Sequence, residues 1–399
     1  NSEQFRLLGI EADFFAADGS YVRVPDEVLS SLAAILTAPG QPFVADFDEV
    51  FNIAPEMVSL LPVGGVLSRC AAAYLLDEKG NSLPYSFVMM EGERIELPPL
   101  PPGYYTLELH GAHQMRRCLV IVAPKQVYQP EMLRQGERLS GMNVQVYSLR
   151  SAFNWGIGDL GDLRRLAMDF GEDGIDFLGI NPLHALFSSR PNWASPYSPS
   201  SRRWLNPIYI DVGGMQLFQT SPSAQAWFSD AETQAVLSRL READWVDYAQ
   251  VMALKMRALR LIFHDFEAQE AFVGARGTFE EFVRRGGREL RLFATFESLD
   301  HYFYAQTASI PFSEDTVGWL GWPEAYRYPD SAAVQAFAVS HEADIRFYMW
   351  LQWVMAEQLD LVRMACHEAG MALRLYGDLA VGVSRGGADT WIHREMYCL

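Results

Sequence analysis

Cysteine is scarce in this 399-residue sequence, and its spacing excludes several classes of structure. Cys70, Cys118, Cys366 and Cys398 stand far apart and form no C-x-x-C pair. A compact disulfide framework or a thiolate zinc site is therefore not expected, and the four read as thiols of a reducing, cytoplasmic compartment. His367 and His393 show no metal-ligand spacing either. Positive charge is also short, with 32 Lys+Arg against 50 Asp+Glu and a formal net charge of -18. A field of that sign repels nucleic acid and anionic lipid but is indifferent to a neutral ligand. No apolar run reaches the roughly 18 residues that a membrane-spanning helix needs. Asn1-Ser2-Glu3-Gln4 has no basic or apolar stretch of a signal peptide and no Met, so the natural start is expected upstream. Internal repeats and low-complexity tracts are absent.

Aromatic residues, by contrast, are plentiful: 10 Trp, 17 Tyr and 24 Phe. Their flat faces suit the C–H faces of sugars, although core packing accounts for most of them. The length suits two to three domains at about 100–200 residues each, and 49% hydrophobic residues supply a large core. Pro25-Asp26-Glu27 opens a short helix, with Val28, Leu29, Leu32, Ile35 and Leu36 on one face and Pro39-Gly40 ending it. Residues 1–60 are read as a small helical region. From about Val66 to Val122, short strands alternate with turns such as Asp77-Glu78-Lys79-Gly80-Asn81 and the Pro-rich run Leu97–Gly103. That spacing predicts a β-sandwich over 61–125.

The period changes after Ala123-Pro124-Lys125. Asn143–Tyr147 reads as a strand, Leu163, Leu166, Ala167 and Phe170 as a helical stripe, and Phe177–Asn181 as a second strand, which makes a βαβ unit. Residues 216–369 read as a mainly helical insert, ending in the stripe Phe347, Leu351, Val354, Met355, Leu359, Val362 and Cys366 before Gly370. Leu373–Asp378 is a third strand with a polar end. These patterns predict an α/β multidomain chain whose residues 126–399 hold part of a (β/α)8 barrel, where ligands meet the loops after the strands. Gly156, Gly158 and Gly161 match G-x-G-x-x-G, but no acidic residue closes a second strand in the ribose-binding way, and Trp155 crowds the turn.

Three loops combine Tyr and Trp faces with Asn, Asp, Ser and Arg hydrogen-bonding groups, a chemistry that suits a sugar site. They contain Ser148-Leu149-Arg150-Ser151 and Asn154-Trp155-Gly156-Ile157-Gly158-Asp159, then Asn181-Pro182-Leu183-His184 with Ser195-Pro196-Tyr197-Ser198-Pro199-Ser200-Ser201-Arg202-Arg203, then Gly377-Asp378-Leu379-Ala380-Val381-Gly382-Val383. These runs closely resemble bacterial amylomaltases (4-α-glucanotransferases) of the longer, enterobacterial type. Asp244-Trp245-Val246-Asp247-Tyr248, Leu351-Gln352-Trp353 and Ile121-Val122-Ala123-Pro124-Lys125 extend the resemblance over nearly the whole chain. It implies transfer of α-1,4-glucan segments between maltodextrins, without a cofactor, by a retaining double displacement. That chemistry needs two carboxyls about 5–5.5 Å apart. The family signatures that carry the carboxyls, R-I-D-H, E-D-L-G and T-H-D-N, do not occur in these 399 residues. The catalytic residues are therefore expected beyond Leu399, and the chain alone is expected to be inactive. Two alternatives are a related retaining α-glucan hydrolase and a non-catalytic glucan-binding module.

The resemblance implies that Tyr197 stacks on substrate. Asp378 is placed to bind substrate at its strand end, the alternative being a cap on the next turn. Trp155 and Trp391 are candidates for lining subsites, with core packing as the alternative, and Asp159 is a candidate with helix capping as the alternative. Tyr248 is a candidate secondary glucan contact, with a helix start as the alternative. Arg202 and Arg203 are read as pairing with local carboxylates, and His184 as a satisfied structural histidine.

Overall fold

The computed structural model describes residues 5, 10–15, 19–37, 49–62, 70–84, 88–90, 94–111, 115–124, 126–307 and 316–397. It divides into two compact units, Asn1–Pro130 and Glu131–Leu399.

The first unit opens with a hairpin, β1 (Asp13–Phe15) with β2 (Tyr21–Arg23), followed by helix α1 (Asp26–Thr37). Asp26 and Glu27 favour the positive end of the α1 dipole. The apolar face expected on α1 is buried only at Leu29, while Val28 and Leu32 stand exposed and the side chains of Ile35 and Leu36 lie outside the described residues. Two sheets follow. In one, β3 (Glu49–Ile53) runs parallel to β9 (Met115–Val122), which pairs antiparallel with β8 (Gly103–Gly111), and β8 with β5 (Cys70–Leu76). In the other, β7 (Arg94–Leu97) lies between β4 (Ser59–Pro62) and β6 (Val88–Met90), all antiparallel. Period-2 patterning fills one shared core: Leu61, Leu75, Ile95, Leu97, Leu107, Leu109, Val120 and Val122 are all buried in it. Strand β3 lies within the stretch read as helical, yet it pairs with β9 from Glu49↔Cys118 to Ile53↔Val122. Residue 60 is therefore not a boundary between these elements.

The second unit holds a parallel sheet in the order β10 (Gly141–Val144), β11 (Phe177–Ile180), β14 (Arg374–Gly377). Among the described residues these three strands do not close into a barrel. Strand β10 begins and ends earlier than Asn143–Tyr147 because the chain turns into a 3-10 helix over Val146–Ser148, where the Val146 N–H donates to Asn181 Oδ1 at 2.7 Å. After the short α2 (Glu131–Arg134) and β10, α3 (Leu160–Glu172) crosses back to β11. Asp159 caps α3 by accepting from the Gly161 and Asp162 N–H groups at 3.1 and 3.2 Å, and Asp162 returns the bond to complete a capping box. Leu160, Leu163 and Ala167 face the core.

Between β11 and β14 lie the ribbon β12 (His184–Ala185) with β13 (Ser201–Leu205) and a helical insert. The insert comprises α4 (Gln216–Gln219), α5 (Pro222–Phe228), α6 (Ala231–Glu242), α7 (Tyr248–Ala268), α8 (Val273–Thr307), α9 (Ala332–Ser340) and α10 (Glu342–Glu368). A kink at Gly287, with φ 52, breaks α8. Helix α10 is apolar almost all round between Ile345 and Met355, so it is buried on every side. Two amides tie it to neighbouring backbone. Gln352 accepts from Leu205 N at 2.9 Å and donates to Leu205 O at 2.8 Å. Gln358 makes the same pair with Asp211 at 2.8 and 2.9 Å. The unit ends with α11 (Ala388–Ile392) and a short 3-10 turn.

Candidate active-site cleft

The C-terminal ends of β10, β11 and β14 open into a cleft of about 540 Å³, lined among others by Gln145, Asn181, Tyr197, Tyr376 and Asp378. Asn181 gives structure to the floor. Besides accepting from Val146 N, it donates to Pro182 O at 2.9 Å and to Tyr209 Oη at 3.2 Å. Asp378 follows β14 directly, and its N–H donates to Ile180 O at 3.0 Å, which fixes the backbone at the strand end. Tyr197 reaches the same place from the β12–β13 connection, and its hydroxyl donates to Asp378 Oδ2 at 3.0 Å. That bond is the main cause of the raised Tyr197 pKa, so the phenol stays protonated at neutral pH. The Tyr197 ring is 55% exposed and offers a flat apolar face beside an exposed carboxylate.

The Tyr197 loop is laced to the segment after β14. Ser384 N donates to Pro199 O at 2.8 Å, Ala388 N to Ser200 Oγ at 3.0 Å and Asp389 N to Ser200 O at 3.1 Å. Arg202 adds a backbone bond to Asp389 Oδ2 at 2.9 Å and side-chain bonds to Ala380 O and Val381 O at 3.3 and 2.9 Å. The Arg202 guanidinium thus holds carbonyls rather than the expected carboxylate, while Arg203 lies 3.5 Å from Glu289. His184 accepts from Ala380 N at 3.3 Å, and burial lowers its pKa, so a neutral ring serves this structural bond.

The other candidates fall elsewhere. Trp155 is buried and stacks on Phe228 at 5.1 Å, with Phe218 and Trp227 around it. Trp391 is buried against Phe296 and Trp322, and its indole N–H donates to Tyr326 O at 3.0 Å. Both indoles are consumed by packing and present no face to the cleft. Asp159 is buried, serves as the α3 cap and lies 3.6 Å from Lys255 Nζ. Burial pushes its carboxyl up to about 7, against the downward pull of Lys255. Lys255, fully buried, also donates to Ile208 O and Ile210 O at 2.8 Å each. Tyr248 starts α7 directly after its cap Asp247, which accepts from Gln250 N at 3.0 Å, and it faces a small crevice with Tyr209 and Met252. The glycines of the G-x-G-x-x-G pattern serve close packing. Gly156 has φ 89, and a Cβ on Gly158 would fall 1.9 Å from Val146 O.

Sequence reasoning did not find Tyr376, whose ring stands 69% exposed in the cleft, although the Leu375–Tyr376 alternation carries that signal. It also did not find a buried polar cluster that holds the start of the Tyr197 loop. Ser188 hydrogen-bonds Glu297 and lies 2.9 Å from His301 Nε2, Ser189 hydrogen-bonds Asp300, and Arg190 donates to both Asp300 oxygens at 3.1 Å. Burial pushes the Glu297 carboxyl up to about 8, so it is protonated at neutral pH.

A family model for 4-alpha-glucanotransferases of glycoside hydrolase family 77 matches residues 144–399. This chain belongs to that family. Over 399 residues it is 36% identical to a 4-alpha-glucanotransferase of Haemophilus influenzae, covering 98% of this chain and 56% of that protein. It is 34% identical over 312 residues to a 4-alpha-glucanotransferase of Mycobacterium tuberculosis, covering 74% and 39% respectively. The crystal structure of amylomaltase from Corynebacterium glutamicum superposes with a TM-score of 0.69 at 25% identity, over 97% of this chain and 56% of that one. The chain thus spans about half the length of the relatives it matches.

Proposed function

We propose that this chain is part of an enzyme that transfers α-1,4-glucan segments between maltodextrins by a retaining double displacement, with no cofactor. The observation that carries the reading is the Tyr197–Asp378 pair at the C-terminal ends of parallel strands, joined at 3.0 Å beside an open cleft. A glucosyl ring stacked on Tyr197 would place its hydroxyls against Asp378 and Gln145. The three parallel strands are read as the opening strands of an eight-stranded barrel, and the two sheets of the first unit as a sandwich. In this reading residues 126–399 form the barrel domain, and the sheets of the first unit precede it. The free buried thiol of Cys366 supports a cytoplasmic setting.

Both chemical steps are assigned to carboxylates outside these 399 residues, because the signature segments that carry them are absent here. Removing nucleophile and acid/base together costs several orders of magnitude in rate. The test is incubation of the purified chain with maltotriose. No longer dextrins are expected, and turnover approaching that of a full-length relative overturns the assignment and points to Asp378. For the whole enzyme, longer dextrins plus glucose mark transfer. Glucose and maltose alone would mark hydrolysis and defeat the proposal.

A further inference from the structure

We propose that the helical insert carries a second binding site, for a neutral sugar of one or two rings, in the cavity between α7, α8 and α10. The cavity measures about 320 Å³ and shares no lining residue with the strand-end cleft. Its size falls at the low end of the roughly 300–1,000 Å³ typical of ligand pockets, which suits one or two pyranose rings. The assignment does not rest on the glucanotransferase reading.

The walls select the ligand's charge. Arg260 and Asp344 face each other across the cavity wall, with the guanidinium donating to the carboxylate at 2.9 Å, so their charges cancel locally. The guanidinium is seated 4.4 Å over the Phe347 ring, which holds it in place. His301 is largely buried, and burial lowers its pKa, so it contributes a neutral ring at pH 7. With the Arg260–Asp344 pair balanced and the His301 ring neutral, these three groups hold no net charge to recruit an anion, and the chain's overall charge of -18 disfavours one further.

The walls also supply the hydrogen-bonding pattern of a polyol. An Arg–carboxylate pair presents donors and acceptors side by side, since a guanidinium has five N–H groups and a carboxylate about four lone-pair sites, and the bond between them uses only one of each. Neighbouring sugar hydroxyls, each both donor and acceptor, match that alternation. Ser298 adds a further hydroxyl to the lining. At the rim, Tyr302 is 44% exposed and braced edge-on by Phe337 at 5.4 Å and His341 at 5.7 Å, which offers an apolar surface for the C–H groups of a ring.

The test is a calorimetric titration of maltose into the full 399-residue chain carrying Tyr197→Ala, which removes the cleft contact. Saturable binding is expected. Adding Asp344→Asn, at a half-exposed position where the fold tolerates an isostere, is expected to weaken it at least tenfold. Tyr302→Ala, also exposed, is expected to weaken it severalfold. Melting curves confirm that each variant folds. Absence of saturable binding in the Tyr197→Ala chain, equal affinity with and without Asp344→Asn, or binding of inorganic phosphate in place of maltose would each overturn the proposal. Failure of the cleft reading shows separately, as an unchanged maltoheptaose titration when Tyr197→Ala is added to a chain already carrying Asp344→Asn.

Discussion

In the helical insert, Trp350, Phe266 and Phe279 lie fully buried, with the Phe266 ring in contact with the other two at 5.9 and 6.0 Å between centroids. At the ends of the parallel strands the opposite holds: Tyr376, Leu379 and Val381 stand 69%, 62% and 95% exposed. The two regions treat polar groups just as differently. Glu297 and Asp300 are buried and each is answered by a serine hydroxyl, with Arg190 on Asp300, while Asp378 is exposed and held by the Tyr197 hydroxyl. A closed region spends its side chains on packing. The strand ends leave theirs available to a ligand or to further polypeptide.

Substitution separates the regions most sharply. Trp350→Ala is expected to cost about 3–5 kcal/mol of stability, because it empties a fully packed site. Tyr376→Ala, on the exposed strand, is expected to stay within about 0.5 kcal/mol. Denaturant melts of the two variants check this, and equal costs would erase the contrast.

A comparable loss is expected at the foot of α3. Lys255→Ala strands the buried Asp159 without its cation and leaves Ile208 O and Ile210 O without their donor. Removing one partner of such a pair costs about 3–5 kcal/mol. Lys255→Ala with Asp159→Asn should recover part of it, and a double-mutant cycle measures the coupling.

Hydrogen exchange compares the regions without mutation. Amides of α10 from Ile345 to Met355, and of β7–β9, are expected to be strongly protected, and those of Gly141–Val144 and Arg374–Gly377 weakly. Equal protection throughout would mean that three parallel strands and the insert form a complete core by themselves.

The pH dependence is a finer instrument. The Glu297 pKa, at about 8, stands above its unfolded value of about 4.3. Between those values the folded state holds a proton that the unfolded state has released, so unfolding free energy falls as pH rises through the window and levels off above about 8. Glu297→Gln removes that penalty. The melting temperature of the variant relative to wild type should therefore rise between pH 5 and pH 9, and a difference independent of pH would show that Glu297 is ionised in the fold.

The same contrast explains which features were legible in the sequence. Strands β7 to β9 and the cap at Asp159 follow from local patterns: period-2 alternation, the Pro-rich run before Gly103, and an Asp-x-x-Asp start to α3. Strand β3 was not legible, since its partner β9 lies more than sixty residues away and its pairing is parallel. Neither was the Ser188–Glu297 contact, 109 residues apart in the chain. Trp155 and Trp391 show the limit for sites. An indole in a loop reads the same whether it faces sugar or core, and only the rings packed around it decide. Tyr197 was singled out from the family resemblance and Asp378 from its strand end, and their hydrogen bond joins residues 181 positions apart.

The most direct test of the strand-end cleft as a glucan site is titration of maltoheptaose into the 399-residue chain carrying Asp344→Asn, which weakens the cavity of the helical insert, and into the same chain with Tyr197→Ala added. The account predicts weak binding to the first and at least a tenfold loss in the second, about 1.4 kcal/mol. Binding of equal strength to both would contradict it and move the glucan contact away from Tyr197.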